Sequence, residues 1–414
     1  MKRKLLFALL LTGFLVIFSR CRQSGSAARS SLVISEIESP AGAGSSAPNF
    51  FTDENEQLYL SWIEKSGEKQ TSLKYADMQA HEWSKARTIA EGKRWFVNWA
   101  DFPSLVALNN NRLAAHWLAK SGEGAYAYNV NIAQSADGGK TWSRPIVPHN
   151  DGTETEHGFV SMLPWLKDRL FVVWLDGRNF AQQTHSNGHG SPKANMTLRF
   201  ATLDAQGQVY DETVLDSRTC ECCQTSAART KDGAIVAYRD RSENEIRDIS
   251  IVVWNDGKWS EPRTLYPDNW EIHGCPVNGP AVSANQENVA IAWFTAAQNK
   301  PKILVAFSED SGQTFGQPVQ LNEGETVGRV DVILLQDGSA LVSWMASTAQ
   351  GGEIQVCRVQ PQGAKDLMTT LAKINTGRAS GFPQMARSGD KIFFAWTQVG
   401  HPTTIRTAVA EITL

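Results

Sequence analysis

The sequence predicts an all-β chain folded as a β-propeller, and three observations carry that prediction. A short alternating strand ending in an aromatic recurs seven times, as QLYLSW to Trp62, RLAAHW to Trp117, RLFVVW to Trp174, GAIVAY to Tyr238, NVAIAW to Trp293, SALVSW to Trp344 and KIFFAW to Trp396. The intervals are 55, 57, 64, 55, 51 and 52 residues. A second aromatic series, Trp83, Trp142, Trp259 and Phe315, keeps the same period, with Tyr210 in the gap that spans two units. No stretch carries a comparably periodic helix. Period-two alternation means half-buried strands, and repetition at this length means blades set radially round a channel. The count gives seven blades, with six as the alternative if one terminal repeat is decorative.

In chain order, Met1-Lys-Arg-Lys precedes an apolar run from Leu5 to Phe18, too short to cross a bilayer comfortably. A basic start before such a run reads as an export signal, so residues 1–21 are expected to direct the chain to the periplasm or outer surface. Cys21 follows the run and resembles the lipid-modified cysteine of bacterial lipoproteins, against plain signal cleavage. Residues 22–31 are small and polar, which suits a tether, and residues 32–414 form one propeller domain. Any membrane contact is expected only through the signal or a lipid. A net charge of -3 leaves no footprint for a polyanion, so nucleic acid is not an expected partner.

Each unit begins with a segment often holding Pro or Gly, as in APNFF, DFPSL, HGCPVNGP and SGFPQM, followed by a turn such as LNNN, TKDG or LQDG and the aromatic-ended strand. A further alternating strand comes next, for example AYNVNIAQS or KILVAFS. The last unit lacks an outer strand, and SLVISEIE from Ser31 could supply it by pairing the two ends of the chain. Such closure removes exposed strand edges.

Two turns are spelled alike. Ser135 to Trp142 and Ser308 to Phe315 both read S-x-D-x-G-x-T-aromatic, and the two lie 173 residues apart. The Asp carboxylate can accept backbone N–H bonds, Gly takes a positive φ and the aromatic packs beneath the hairpin. The stretch from Trp254 to Trp259 is a shortened cousin. These turns resemble the Asp-box, or BNR repeat, of the sialidase superfamily, and the resemblance spans most of residues 32–414. It implies a sialidase-like propeller. Sialidases use an Arg-Ile-Pro-type motif near the first blade, three arginines for the substrate carboxylate, a Tyr paired with Glu, and an Asp as acid/base. This chain departs from that pattern, since its first blade reads Pro48-Asn49-Phe50-Phe51 without arginine.

The segments that lead into the inner strands should line the channel mouth, and they carry Asp101, His157, Cys220, Cys222 and Cys223, His273 with Cys275, Arg329 with Asp331, and Ser380. Sulfur and imidazole from adjacent blades would therefore meet. Thiolates with a histidine suit copper as Cu(I) or zinc. Exported proteins also form disulfides, so bonds from the Cys220 loop to Cys275 are expected ahead of a metal, with free thiols as a third alternative. Cys357 reads as a core residue. Arg178, Arg239, Arg241 and Arg329 are candidates to grip an anion, and Trp99 or Trp95 to stack on a sugar. The long 64-residue interval comes from a loop between Asn179 and Met196 holding His185 and His189, a recognition-loop candidate.

Three functions remain open on the sequence alone. The first is an exported propeller that binds a small or anionic ligand, with or without a metal, at the Cys/His/Arg cluster. The second is a glycoside hydrolase on acidic glycans, with Asp101, Asp176 or Asp240 as acid and Tyr238 as nucleophile. The third is a scaffold for a protein partner with structural disulfides.

Overall fold

The computed structural model describes residues 32–67, 70–80, 82–183 and 195–412. The export signal, Cys21, the tether and the loop histidines His185 and His189 lie outside the described residues. Seven antiparallel sheets stand round one axis, so the seven-blade count holds and the six-blade alternative does not. Blades one to six run in chain order over residues 45–92, 104–135, 157–219, 226–264, 281–320 and 326–374. The seventh takes three strands from residues 384–412 and its fourth from Leu32–Ile37, which pairs antiparallel with Thr404–Ile412. The ring is closed by the two ends of the chain. Among the described residues no helix is long and apolar enough to cross a membrane.

The seven aromatic landmarks all sit on second strands and are buried. They fill the wedges between neighbouring blades, where flat sheets would otherwise leave voids. Both S-x-D-x-G-x-T turns close as their spelling predicts. Asp137 Oδ1 accepts from Thr141 N at 2.9 Å and Oδ2 from Thr141 Oγ1 at 2.6 Å. Asp310 repeats the pair with Thr314 at 2.8 and 2.6 Å. Gly139, at φ 81°, could not be another residue, because a Cβ would fall 1.8 Å from the Tyr75 hydroxyl of the preceding blade. Asp256 and Gly257, both at positive φ, make the two-residue hairpin of the shorter cousin.

Three inner strands open with a bulge whose residue has positive φ: Ala47, Phe159 and Arg329. The bulges aim backbone N–H groups at the neighbouring blade. Phe159 N donates to Asp101 Oδ1 at 2.8 Å, and Arg329 N donates to Asn278 Oδ1 at 2.7 Å. Thr225 Oγ1 donates to Phe159 O at 2.7 Å, and Gly279 N donates to Gln224 Oε1 at 3.0 Å. Met385 N donates to Asp331 Oδ2 at 2.6 Å. The leading segments are thus sewn together round one mouth of the channel. That mouth is filled by Trp99, Phe102 and Phe382, with Trp99 stacked on Phe382 at 5.8 Å and Phe159 in the same cluster. Behind this plug the channel widens to the opposite mouth, a funnel of about 1310 Å³ lined by Asp53, Arg112, Arg229 and Arg387 among others.

Closure makes a testable demand. Deleting residues 1–37 strips Thr404–Ile412 of its partner and exposes an unpaired edge. We expect a loss of stability on the order of 3 kcal/mol from the forfeited burial and hydrogen bonds, read as a lower denaturation midpoint with new oligomers on gel filtration. An unchanged midpoint would show that the ring holds without its closing strand.

Candidate metal centre

The Cys220 loop joins the outer strand of the third blade to the inner strand of the fourth. It cannot drift to the rim, because its ends are tied inward. Cys220 N donates to Arg239 O at 3.1 Å, and the Gln224 side chain bonds to Ala100 O and accepts from Gly279 N. Cys222 packs against the aromatic plug. Three sulfurs converge as a result. Cys220 Sγ lies 3.4 Å from Cys223 Sγ and 3.7 Å from Cys222 Sγ. A disulfide would need about 2.05 Å, and tetrahedral thiolates on one ion sit about 3.8 Å apart. Cys275, arriving from the loop before the fifth blade, lies close enough to Cys222 to shift its thiol and remains exposed. Cys220, Cys222, Cys223, Cys275 and Cys357 are all free thiols.

Arg247 sets the charge of this pocket. Its Nη1 stands 3.3 Å from Cys220 Sγ and 2.9 Å from Glu221 Oε2, and its Nη2 stands 2.9 Å from Glu245 Oε2. Burial opposes ionisation of Cys220, but hydrogen bonds from Cys222 and Cys223 and the charge of Arg247 prevail, holding its thiol well below the usual range. Its neighbours shift the other way. Cys222 is pushed up by donating to Cys220 and Cys223, and Cys223 by burial. Cys220 is thus the most readily ionised of the three thiols, beside a guanidinium.

A buried acid group borders the sulfurs. Tyr128 Oη donates to Glu156 Oε1 at 2.7 Å and lies 3.4 Å from Asp101 Oδ2. Burial pushes Asp101 up to about 7. Burial again, with the charges of Asp101, Cys275 and Glu221, pushes Glu156 up to about 8. Asp331, in the channel wall, is also raised to about 7 by burial. A carboxyl whose pKa rises on folding binds its proton more tightly when folded. Its stabilisation is complete below the unfolded value near 4 and is lost as pH rises through 7 to 8. The denaturation midpoint should therefore fall across that window, and Asp331→Asn should flatten part of the fall. A midpoint that climbs from pH 5 to 8 would contradict these environments.

Other sequence candidates are placed away from this role. His273 is turned to solvent, its side chain 76% exposed and paired with Glu271 at 3.3 Å, so it does not join the sulfurs. Arg239 is buried and donates to the carbonyls of Asn278, Arg247 and Phe294 at 2.8, 2.6 and 2.7 Å. Arg329 is likewise committed, to Gly377 O and Gly381 O, and lies over the Trp99 ring at 4.6 Å. Trp99 is thereby engaged by Phe382 and Arg329, and Trp95 stacks on Trp117 at 5.3 Å. Arg241 bonds to Glu221 and Glu245, and Arg178 clasps Asp176 through two bonds of 2.7 Å. These arginines answer internal partners, which is not the free fork an anionic ligand needs.

The proposed catalytic groups are enclosed as well. Tyr238 is fully buried, donates to Asp216 Oδ2 at 2.6 Å and is shifted well up by burial, which disfavours a phenolate nucleophile. Asp176 is fully buried, and despite that burial the Arg178 bonds hold its carboxyl below the usual range. Asp240 accepts from Arg241 N and Ser250 Oγ, and burial raises it to about 6. Asp101 serves the Phe159 bulge. The residues that sequence reasoning missed are Glu221, Tyr128 and Glu156, and Arg247, a candidate only for an anionic ligand, meets a sulfur instead. Glu221 lies inside the C-E-C-C spelling and Arg247 in the charged run that follows, but no spacing rule brings them together.

Comparison with known proteins agrees with the architecture. A protein of unknown function from Dyadobacter fermentans is 12% identical, with 93% of this chain and 98% of that chain covered at a TM-score of 0.50. The NanB sialidase from Streptococcus pneumoniae is 11% identical over 92% of this chain and 95% of its own, at 0.47. The intramolecular trans-sialidase from Ruminococcus gnavus is 14% identical over 75% and 93%, also at 0.47. The likeness is one of fold. No protein-family model matches the chain, and no curated protein matches it.

Proposed function

We propose that this propeller is an exported binder of a soft or borderline metal ion, Cu(I) or Zn(II), held by the thiolates of Cys220, Cys222 and Cys223 with Cys275 as an outer fourth ligand. The observation that carries the reading is the convergence of unbonded sulfurs at ligand spacing in a buried pocket with its own guanidinium. Thiolate sulfur selects such ions over hard cations. Burial shields the sulfurs from oxidants, which matters in a compartment where exposed thiols pair. On this reading the two S-x-D-x-G-x-T turns are Asp-boxes that brace the blades and take no part in binding.

The glycoside-hydrolase reading lacks support at its own residues. Its nucleophile candidate Tyr238 is sealed in the core, its arginines are spent on internal bonds, and an aromatic plug fills the mouth where a sugar would sit.

Titration of the reduced protein with Cu(I) and with Zn(II), each against a competing chelator, tests the proposal. One tightly held ion per chain is expected. Binding must displace protons from Cys222 and Cys223, so affinity should rise with pH. Cys275→Ser separates the two ions. Cu(I), content with three thiolates, should lose little, whereas four-coordinate Zn(II) should weaken by about tenfold or more. Failure to retain either ion on the fully reduced chain would refute the proposal.

A further inference from the structure

Glu156 and His157 are adjacent in extended chain and so point to opposite sides of it. Glu156 faces the sulfurs, while His157 faces a separate polar pocket within the third blade. There His149 Nδ1 lies 3.2 Å and His157 Nε2 3.1 Å from the same oxygen, Asp151 Oδ2, with Asp176 Oδ1 3.8 Å from His157 Nε2. The side chains of His149, Asp151, His157 and Asp176 are at most 6% exposed.

Three features of this pocket ask for a cation. His157 Nδ1 sits 3.1 Å from Thr155 O and 3.3 Å from Tyr128 O, and carbonyls only accept, so Nδ1 carries a hydrogen, while Nε2 faces oxygens of Asp151 and Asp176. Fixing one ring nitrogen on a backbone carbonyl is also how metal-ligating histidines are oriented. Second, the charges do not balance. Among the described residues, Asp151, Asp176 and Glu212 face two guanidiniums, Arg178 and Arg199, which leaves one negative charge over. Third, His149 Nε2 is buried without a hydrogen-bond partner among the described residues, an unpaired imidazole nitrogen inside a closed pocket.

We propose that His149, Asp151 and His157, backed by Asp176, form a second cation site that takes a borderline divalent ion such as Zn(II), Ni(II) or Co(II) through nitrogen and oxygen. The donor set of two imidazoles and a carboxylate is one such ions accept. Ligand atoms about 2.1 Å from one ion lie roughly 3.0–3.4 Å apart, which the two contacts to Asp151 match. The two rings stack at 3.8 Å with 4° between their planes, so one must turn for both lone pairs to meet the ion. His149, with its Nε2 unpaired, has less to lose by turning than His157, whose Nδ1 is fixed on two carbonyls. This site does not depend on the thiolate reading.

Co(II) added to the reduced full chain reports both sites at once, because thiolate-bound cobalt shows intense near-ultraviolet charge transfer and nitrogen/oxygen-bound cobalt only weak visible bands. Both signals are expected in the natural protein. His149→Gln and Asp151→Asn should each weaken the second population by more than about tenfold and leave the charge transfer intact. Cys223→Ser should do the reverse. Absence of the weak-band population in the natural protein overturns the inference, and so does its persistence in both substituted chains. Either result would mean that the two imidazoles and Asp151 do not hold an ion together. Loss of the charge-transfer signal alone would refute the thiolate site and leave this one standing.

Discussion

Replacing Arg239 with methionine is expected to cost on the order of 4 kcal/mol or more of stability, the largest effect of any single change away from the sulfurs. The residue is 1% exposed and has no carboxylate partner among the described residues. It instead satisfies three carbonyl oxygens from separate stretches of chain, at residues 278, 247 and 294, and lies over the Trp270 ring at 4.9 Å. Hydrogen bonds from a charged donor are each worth about 1.5–3 kcal/mol, and methionine fills the volume but leaves three buried acceptors unpaired. Lysine should rescue little, because one ammonium cannot reproduce a planar fork. Chemical denaturation of the three proteins checks the ranking. A methionine variant within about 1 kcal/mol of the natural protein would show that these carbonyls find other donors.

Cys223→Ser is expected to abolish tight metal binding with little change in stability. The substitution is nearly isosteric and the site is one of three inner ligands, so affinity should fall by more than about 100-fold, beyond what altering an outer-shell partner does. Cys357→Ser is the matched control. It too is buried, but its sulfur contacts the carbonyls of Arg358 and Asp366, in the sixth blade and apart from the cluster. Equal losses from both substitutions would mean that retained metal reports damage to the core and not a ligand set. Loss from Cys223→Ser alone would tie the ion to the pocket.

Much of this architecture is legible in the chain. Equal intervals between Trp62, Trp117 and their successors dictate equal blades, and segments one blade apart must meet at the hub, which is why Cys222 and Cys275 could be paired across more than fifty residues. The burial of Tyr238 was legible too, since it holds the place that tryptophan holds in every other blade. What the sequence hides is the partner of each charge. Arg239, Arg241 and Arg329 look alike as letters, yet Arg241 meets two glutamates, whereas Arg239 and Arg329 meet carbonyls and each lies over a tryptophan, Trp270 and Trp99. His149 and Asp151 carry no motif, and only the path of the loop before the third blade brings them against His157. His273 sits beside Cys275 in sequence, but the turn at residues 274–276 leaves the imidazole outside.

The aromatic plug turns the bore into a blind cup. Asp53 and Arg112 border this cup, none of the described cysteines lines it, and Cys275 is the exposed thiol of the cluster. A bulky thiol label should consequently decorate a single face, and a guest lodged in the cup would neither compete with it nor shield its target.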